Sequence, residues 1–197
     1  MIFHHPVRSL AIRLVVPALL ACLLAAVPST AHADETEAMW TAVRLGEAVA
    51  IMRHALAPGN GDPAGFKLGD CSTQRNLSDE GRRQAVDIGQ RFRDNGIERA
   101  AVYSSGWCRC RETAELLDLG PVETLSPLNS FFSHRDRRDP QTKALQEWLS
   151  GRKPSQPLVL VTHQVNITAL TGTYTGSGDI VVVRQALDGG FTVLGKL

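Results

Sequence analysis

The stretch EAVAIMRH, residues 47–54, decides how this chain folds. From Ala48 to Met52 it is continuously apolar, with no polar residue at alternate positions. A strand with one wet face alternates, whereas an unbroken apolar run is buried on both faces, as in parallel sheets covered by helices on each side. The run stops at Arg53-His54. Two later stretches have the same shape. AVYSS, residues 101–105, ends in two hydroxyls just before a helical segment carrying Arg109. LVLVTH, residues 158–163, is an apolar run ending in Thr162-His163.

The segments between these runs read as helices. A short helix is expected over 36–45. Ser78 caps a helix reaching about Asn95, with Ala85, Ile88, Gly89 and Phe92 on one face and Gly96 closing it. A second main helix is expected over 107–118. Asp139-Pro140 reads as a cap and first turn, opening a helix in which Leu145, Trp148 and Leu149 share a face before Gly151. Residues 165–171 form another, stopped by Gly172, and Asp188-Gly189-Gly190 joins strands 179–185 and 191–195 as a hairpin. Strands alternating with helices predict an α/β sandwich with a mostly parallel central sheet. Ligands bind such sheets beyond the carboxyl ends of the strands. There the three runs deliver two imidazoles, His54 and His163, and two guanidiniums, Arg53 and Arg109.

That set of groups seeks an anion. Guanidinium is permanently charged and grips phosphate oxygens in pairs, and a helix start beside Arg109 adds N–H groups. Phosphoryl transfer needs positioning and charge neutralisation, and a neutral imidazole can attack phosphorus to give a phosphohistidine that water later hydrolyses. The arginines supply the positive charge, so neither a divalent metal nor another cofactor is implied.

Four segments, in order, resemble the histidine phosphatase superfamily, whose members have the phosphoglycerate mutase-like fold. Ile51-Met52-Arg53-His54-Ala55 is similar to its Arg-His-Gly signature. Arg75 to Ala85 is similar to an R-x-L-S/T-x-x-G-x-x-Q-A helix entry. Ser104 to Ala114 is similar to an S-S-x-x-x-R-x-x-x-T-A element, and Val161-Thr162-His163 to the strand end carrying a second histidine. The resemblance implies a three-layer α/β/α sandwich. It also implies that His54 is the phosphorylated nucleophile, with Arg53, Arg109 and His163 holding the phosphoryl group. Asn60 stands where mutase-like members carry a phosphate-contacting Asn, and Arg75 reads as a structural brace. The chain departs from the family at both proton donors. Ser130 follows Leu128-Asn129 where a Glu is expected, and Gln164 follows His163 where another branch has Asp. The general acid is therefore unassigned, with His134, Asp136 and Asp139 as candidates. Trp107 and Phe131-Phe132 read as core or rim packing.

The N-terminus carries a different kind of signal. Arg8 and Arg13 precede an apolar run from Leu14 to Val27, followed by Ala31-His32-Ala33. A basic start, an apolar core and a small-x-small site define a secretory signal. The run is too short for a membrane span, which needs roughly 20 apolar residues. The expectation is cleavage after Ala33, a domain over 34–197 and a periplasmic location with no remaining span. An uncleaved anchor and lipid attachment at Cys22 are the alternatives. Export puts Cys71, Cys108 and Cys110 in an oxidising compartment, where Cys71 can pair with either of the other two. A Cys-x-Cys with one distant Cys is not the usual zinc spacing.

The chain of 197 residues, 43% hydrophobic with a net charge of +1, has an ordinary globular balance and no basic block for nucleic acid. The leading function is a phosphomonoesterase acting on a small phosphorylated substrate, for which a cell-envelope sugar phosphate fits the location. Alternatives are a phosphomutase of the same fold, an anion-binding domain that has lost turnover, and a structural envelope protein.

Overall fold

The computed structural model describes residues 1–3, 29–152, 156–186 and 190–197. Six strands form one sheet: β1 (Val49–Arg53), β2 (Ala101–Ser104), β3 (Val122–Thr124), β4 (Leu158–Thr162), β5 (Ile180–Gln185) and β6 (Phe191–Lys196). Their order is β3-β2-β4-β1-β5-β6. The first four in that order run parallel, and β5 and β6 are antiparallel to their neighbours. Five helices flank them: α1 (Ser29–Arg44), α2 (Asp79–Asp94), α3 (Cys108–Leu116), α4 (Arg138–Ser150) and α5 (Gln164–Thr171).

Alternate residues of each central strand feed two separate cores, which is why the sequence runs show no polar face. Ala50 and Met52, Val159 and Val161, and Ile180 and Val182 pack with α1, α2 and α3. Ile51, Leu158 and Leu160, and Val181 and Val183 pack with α4 and α5. The result is the expected three-layer sandwich with a mostly parallel sheet.

The helix-entry motif has a mechanical explanation. Ser78 Oγ accepts the Gly81 N–H at 3.0 Å, capping α2. Gly81 lets the helix approach the loop after β1: a Cβ there would lie 2.0 Å from the Leu56 carbonyl oxygen. Gln84 then ties that loop on both sides, accepting the Leu56 N–H at 2.9 Å and donating to the Ser177 carbonyl at 2.9 Å.

Some boundaries differ from the reading. The first helix begins at Ser29 rather than 36, so Ala31–Ala33 fall in its opening turn. Asp139 is not the cap of α4. A 3-10 turn over Arg135–Arg137 runs straight into the helix, leaving Asp139 in its first turn and Pro140 where the missing N–H has no intrahelical partner anyway. The short, largely exposed β3 went unread because three residues carry no period. The expected signal run with Arg8, Arg13 and Cys22, and the turn residues Asp188 and Gly189, lie outside the described residues. Among the described residues, no helix is long and apolar enough to cross a membrane.

Gly81→Ala is expected to destabilise the fold by about 1–3 kcal/mol through overpacking against backbone. Gly151→Ala, where a Cβ would meet nothing closer than 3.5 Å, should change stability by less than about 0.5 kcal/mol. Urea unfolding of the two variants checks the difference.

Candidate active site

Parallel register brings the three strand ends together. Arg53 lies opposite Thr162 across β1 and β4, and Ser104 opposite Val161 across β2 and β4. The backbone continues the pairing one step past the strands: the His54 N–H bonds the Thr162 carbonyl at 2.9 Å, and the Ser105 N–H bonds the Val161 carbonyl at 3.0 Å. Just beyond them lies a cavity of about 430 Å³, lined by Arg53, His54, Arg109 and His163 among others. All four residues expected in the site therefore meet. Asn60 and Arg75 line the same cavity.

His54 and His163 are buried, 2% and 4% exposed, with ring centroids 5.5 Å apart. His54 Nδ1 lies 2.7 Å from the Ala55 carbonyl oxygen. A carbonyl can only accept, so the proton sits on Nδ1 and the Nε2 lone pair is free to accept. Arg109 Nε donates to that Nε2 at 3.2 Å. Burial, then the charge of Arg109, push the imidazole pKa down to about 3, against the bond to Ala55, which favours the charged form. His54 is a neutral base with an available lone pair, as an imidazole nucleophile must be.

His163 is held by a chain of hydroxyl and amide. Ser105 Oγ lies 2.9 Å from His163 Nε2 and 3.3 Å from Asn129 Oδ1, which also accepts the Gly106 N–H at 2.8 Å. His163 Nδ1 lies 3.4 Å from Arg109 Nη2. Burial and the Arg109 charge hold its pKa well below the ordinary histidine value. The motif threonine also acquires a role. Thr113 Oγ1 accepts the Ala55 N–H at 3.0 Å and donates to the Arg109 carbonyl at 2.6 Å, coupling the loop after His54 to α3.

The sequence reading missed Asp62. Its carboxylate takes the end of the Arg109 fork, Nη1 to Oδ1 at 2.8 Å and Nη2 to Oδ2 at 3.2 Å. It also accepts the Trp107 indole N–H at 3.0 Å and the Arg75 backbone N–H at 3.1 Å. Burial raises the Asp62 pKa, but the Arg109 hydrogen bonds and charge outweigh it, and the group stays ionised below the usual carboxylate range. Asp62 holds one edge of the guanidinium while the other edge, Nε and Nη2, faces the two histidines. An ionised acceptor spacing of this kind has no sequence signature; only the density of Gly, Asn and Asp in a long loop points to the segment.

The remaining expectations divide. Arg75 is the brace expected, its guanidinium donating to the Gly61 carbonyl at 2.7 Å and to that of Ala57. Arg53 donates to the Thr175 carbonyl at 3.1 Å, while its buried Nε has no partner. Of the acid candidates His134 lines the cavity, together with Ser130 and Gln164; Asp136 and Asp139 do not. Trp107 and Phe131 are buried packing as expected, but Phe132 is 47% exposed and lines the cavity. Cys71 pairs with Cys108, joining the loop before α2 to the start of α3. Cys110 is free and buried, its Sγ 3.4 Å from His163 Nε2, and burial pushes its thiol up to about 12, so it stays protonated. With two of the three thiols in a disulfide, the zinc arrangement has lost its ligands. Among the described residues no cluster of three His, Cys, Asp or Glu is spaced for a metal ion.

A histidine whose folded pKa is depressed binds no proton in the folded chain while the unfolded chain takes one below about pH 6.5. Stability is therefore full above pH 6.5 and falls as the pH drops toward 3. In urea unfolding at pH 7 and pH 5, wild type should lose more stability than His54→Asn; equal losses would show that His54 titrates normally. Asp62→Ala should cut turnover by on the order of 100-fold if misaiming Arg109 is the damage. The double variant with Arg109→Lys should then be no worse than the more damaging single change.

Comparison with known proteins bears on this geometry. Residues 49–132 match the model of the histidine phosphatase superfamily (branch 1). No curated protein matches the chain in sequence. Among solved structures, the protein histidine phosphatase SixA complexed with tungstate is 18% identical, with 76% of this chain and 96% of that one covered and a TM-score of 0.54. A mycobacterial glucosyl-3-phosphoglycerate phosphatase with VO3 is 16% identical over 75% and 96%, with a TM-score of 0.56. The phosphoserine phosphatase of Entamoeba histolytica, in complex with 3-phosphoglyceric acid, is 14% identical over 76% and 95%, with a TM-score of 0.57. Those identities speak for a shared fold, and the segment from β1 to Phe132 is similar to the histidine phosphatase superfamily.

Proposed function

We propose that the chain is a phosphomonoesterase that works through a covalent phosphohistidine on His54. The observation that carries the reading is the His54 ring: Nδ1 bonded to the Ala55 carbonyl, Nε2 free to accept and 3.2 Å from the buried Arg109 guanidinium. In the first step Nε2 forms a bond to phosphorus as the ester P–O bond breaks, with Arg53, Arg109 and His163 around the phosphoryl oxygens. The leaving oxygen takes a proton. Water then attacks phosphorus, the P–N bond breaks, and inorganic phosphate leaves a neutral imidazole behind. The structural neighbours include enzymes named as phosphatases, in company with this reading.

A second reading, an anion-binding domain with little turnover, is favoured by one feature. Ser130 and Gln164 line the cavity where family members carry acids, and the carboxylate that does line it, Asp62, is ionised. Aryl phosphates separate the two, because a good leaving group departs without a general acid. Wild type is expected to hydrolyse the activated ester 4-nitrophenyl phosphate and to yield an acid-labile, alkali-stable phosphoenzyme mapped to His54, both absent in His54→Ala. Turnover no greater than that of His54→Ala sinks the enzyme reading.

The chain is further proposed to act in the periplasm on a small phosphorylated molecule, with residues 1–33 removed. The Cys71–Cys108 disulfide suits an oxidising compartment and supports export. Mass spectrometry of the protein from a periplasmic fraction should give an N-terminus at Asp34; a lipid on Cys22 or an intact residue 1 would overturn the cleavage assignment.

A further inference from the structure

The cavity has two levels with different chemistry. Its floor is His54, Arg109 and His163, all at most 4% exposed. Its mouth carries Leu68, Phe132 and Tyr174, which are 51%, 47% and 71% exposed. Few large apolar side chains of the described chain are exposed at all, and these three surround one opening. Apolar surface gathered at a polar cleft marks a binding site rather than incidental exposure. The volume of about 430 Å³ is in the range of sites that take a whole small molecule, so there is room for more than a phosphoryl group.

Charge counts point the same way. Four arginines line the cavity, Arg53, Arg75, Arg109 and Arg137, against one carboxylate, Asp62. Asp62 offsets one of them and a phosphoryl dianion offsets two, so one guanidinium charge is left over. Arg137 is the exposed one, and no side chain among the described residues pairs with it. Its neighbour Arg135 is otherwise engaged, stacked over the Phe132 ring at 5.1 Å. That contact covers one face of the Phe132 ring with a cation.

Resting on the phosphatase reading above, we propose that the mouth of this cavity selects phosphomonoesters whose leaving group combines a flat ring with a second anionic group. Phe132 and Tyr174 take the ring, and Arg137 takes the second anion, a carboxylate or another phosphate. A guanidinium suits both, since each offers paired oxygens.

Phosphonates that cannot be hydrolysed test this by calorimetry on the whole chain. The probes are methylphosphonate, phenylphosphonate, 4-carboxyphenylphosphonate and 1,4-phenylenediphosphonate. Wild type is expected to bind the phenyl compound about tenfold more tightly than the methyl one, as an aromatic ring leaves water. At least one of the two doubly charged compounds should gain about fivefold more, between a solvated ion pair and a paired, partly dry one. Whichever gains more names the second anion. Arg137→Gln should erase the charge gain and keep the ring gain; Phe132→Ala combined with Tyr174→Ala should erase the ring gain. Four affinities within twofold of one another in wild type overturn the proposal, as does a charge gain that survives Arg137→Gln. The two readings fail separately. Intact selectivity without a His54 adduct removes the enzyme, whereas 4-nitrophenyl phosphate turnover with flat phosphonate affinities removes the specificity.

Discussion

A guanidinium that never loses its charge lies under the floor of this cavity, and most of the site is arranged around that fact. Arg109 is 2% exposed. A buried cation is tolerated only when paired and hydrogen-bonded. Asp62 supplies the pairing with both oxygens, and the Arg75 carbonyl accepts a further bond from Nη1 at 3.3 Å. What remains, Nε and the inner side of Nη2, meets neutral imidazole nitrogens at 3.2 and 3.4 Å. Those are long for N–H donors, whose usual distance is about 2.9–3.0 Å. The charge-paired bonds to Asp62 hold the fork in place, and the bonds to neutral imidazole face the cavity, where an anion's oxygen can replace them. Burial first, and this charge second, keep both histidines neutral.

The loop that delivers Asp62 has almost no regular structure between β1 and α2, so its shape rests on ties to the layers below. Arg75 binds the Ala57 and Gly61 carbonyls. Gln74 takes the Cys108 N–H on its Oε1 and gives its Nε2 hydrogen to the Lys67 carbonyl. The Cys71–Cys108 disulfide anchors the same segment one residue before Arg109. Fixing an irregular segment costs backbone entropy of about 1–2 kcal/mol per residue. A cross-link enclosing a loop of this size removes part of that cost from the unfolded side, about 3–4 kcal/mol in the chain-entropy account. Three arginines in this region, Arg53, Arg75 and Arg109, repel one another, and Asp62 is the counter-charge that lets the loop close over them.

The legible part of the molecule is the part governed by repetition. Strand runs such as Leu158–Thr162 are buried on both faces, so every residue is apolar and the pattern is visible in a single sequence. Helix α2 announces itself through Ser78, Gly81 and Gln84, because each answers a local demand of capping, approach or hydrogen bonding. His54, Arg53, Arg109 and His163 could be read because they stand at the ends of such elements. Asp62 could not, since its partner is 47 residues away and nothing local requires a carboxylate there. The Phe131-Phe132 pair read as core or rim packing without a choice between them, and it is the turn of the chain that puts Phe131 in the core and Phe132 at the rim. The disulfide was half legible. Spacing allowed Cys71 two partners, and the choice between Cys108 and Cys110 was made by α3, which turns Cys110 toward His163 and into the core.

The two levels of the cavity are built by different means, and that difference bears on how such a site changes over evolution. The floor is set by strand register: moving His54 relative to His163 would mean sliding β1 against β4 and reversing which face every core residue points to. The mouth is lined by three connections, around residues 60–68, 130–137 and 174. Substitutions at the exposed residues Leu68, Phe132, Arg137 and Tyr174 leave both cores and the Arg109–Asp62 pair untouched. Loops on a rigid scaffold are where recognition is altered at least cost to the fold. In this chain Ser130 and Arg137 belong to that adjustable layer. On the reading proposed above, chemistry at phosphorus and choice of leaving group are separable properties, the first resting on the sheet and the second on what the loops present.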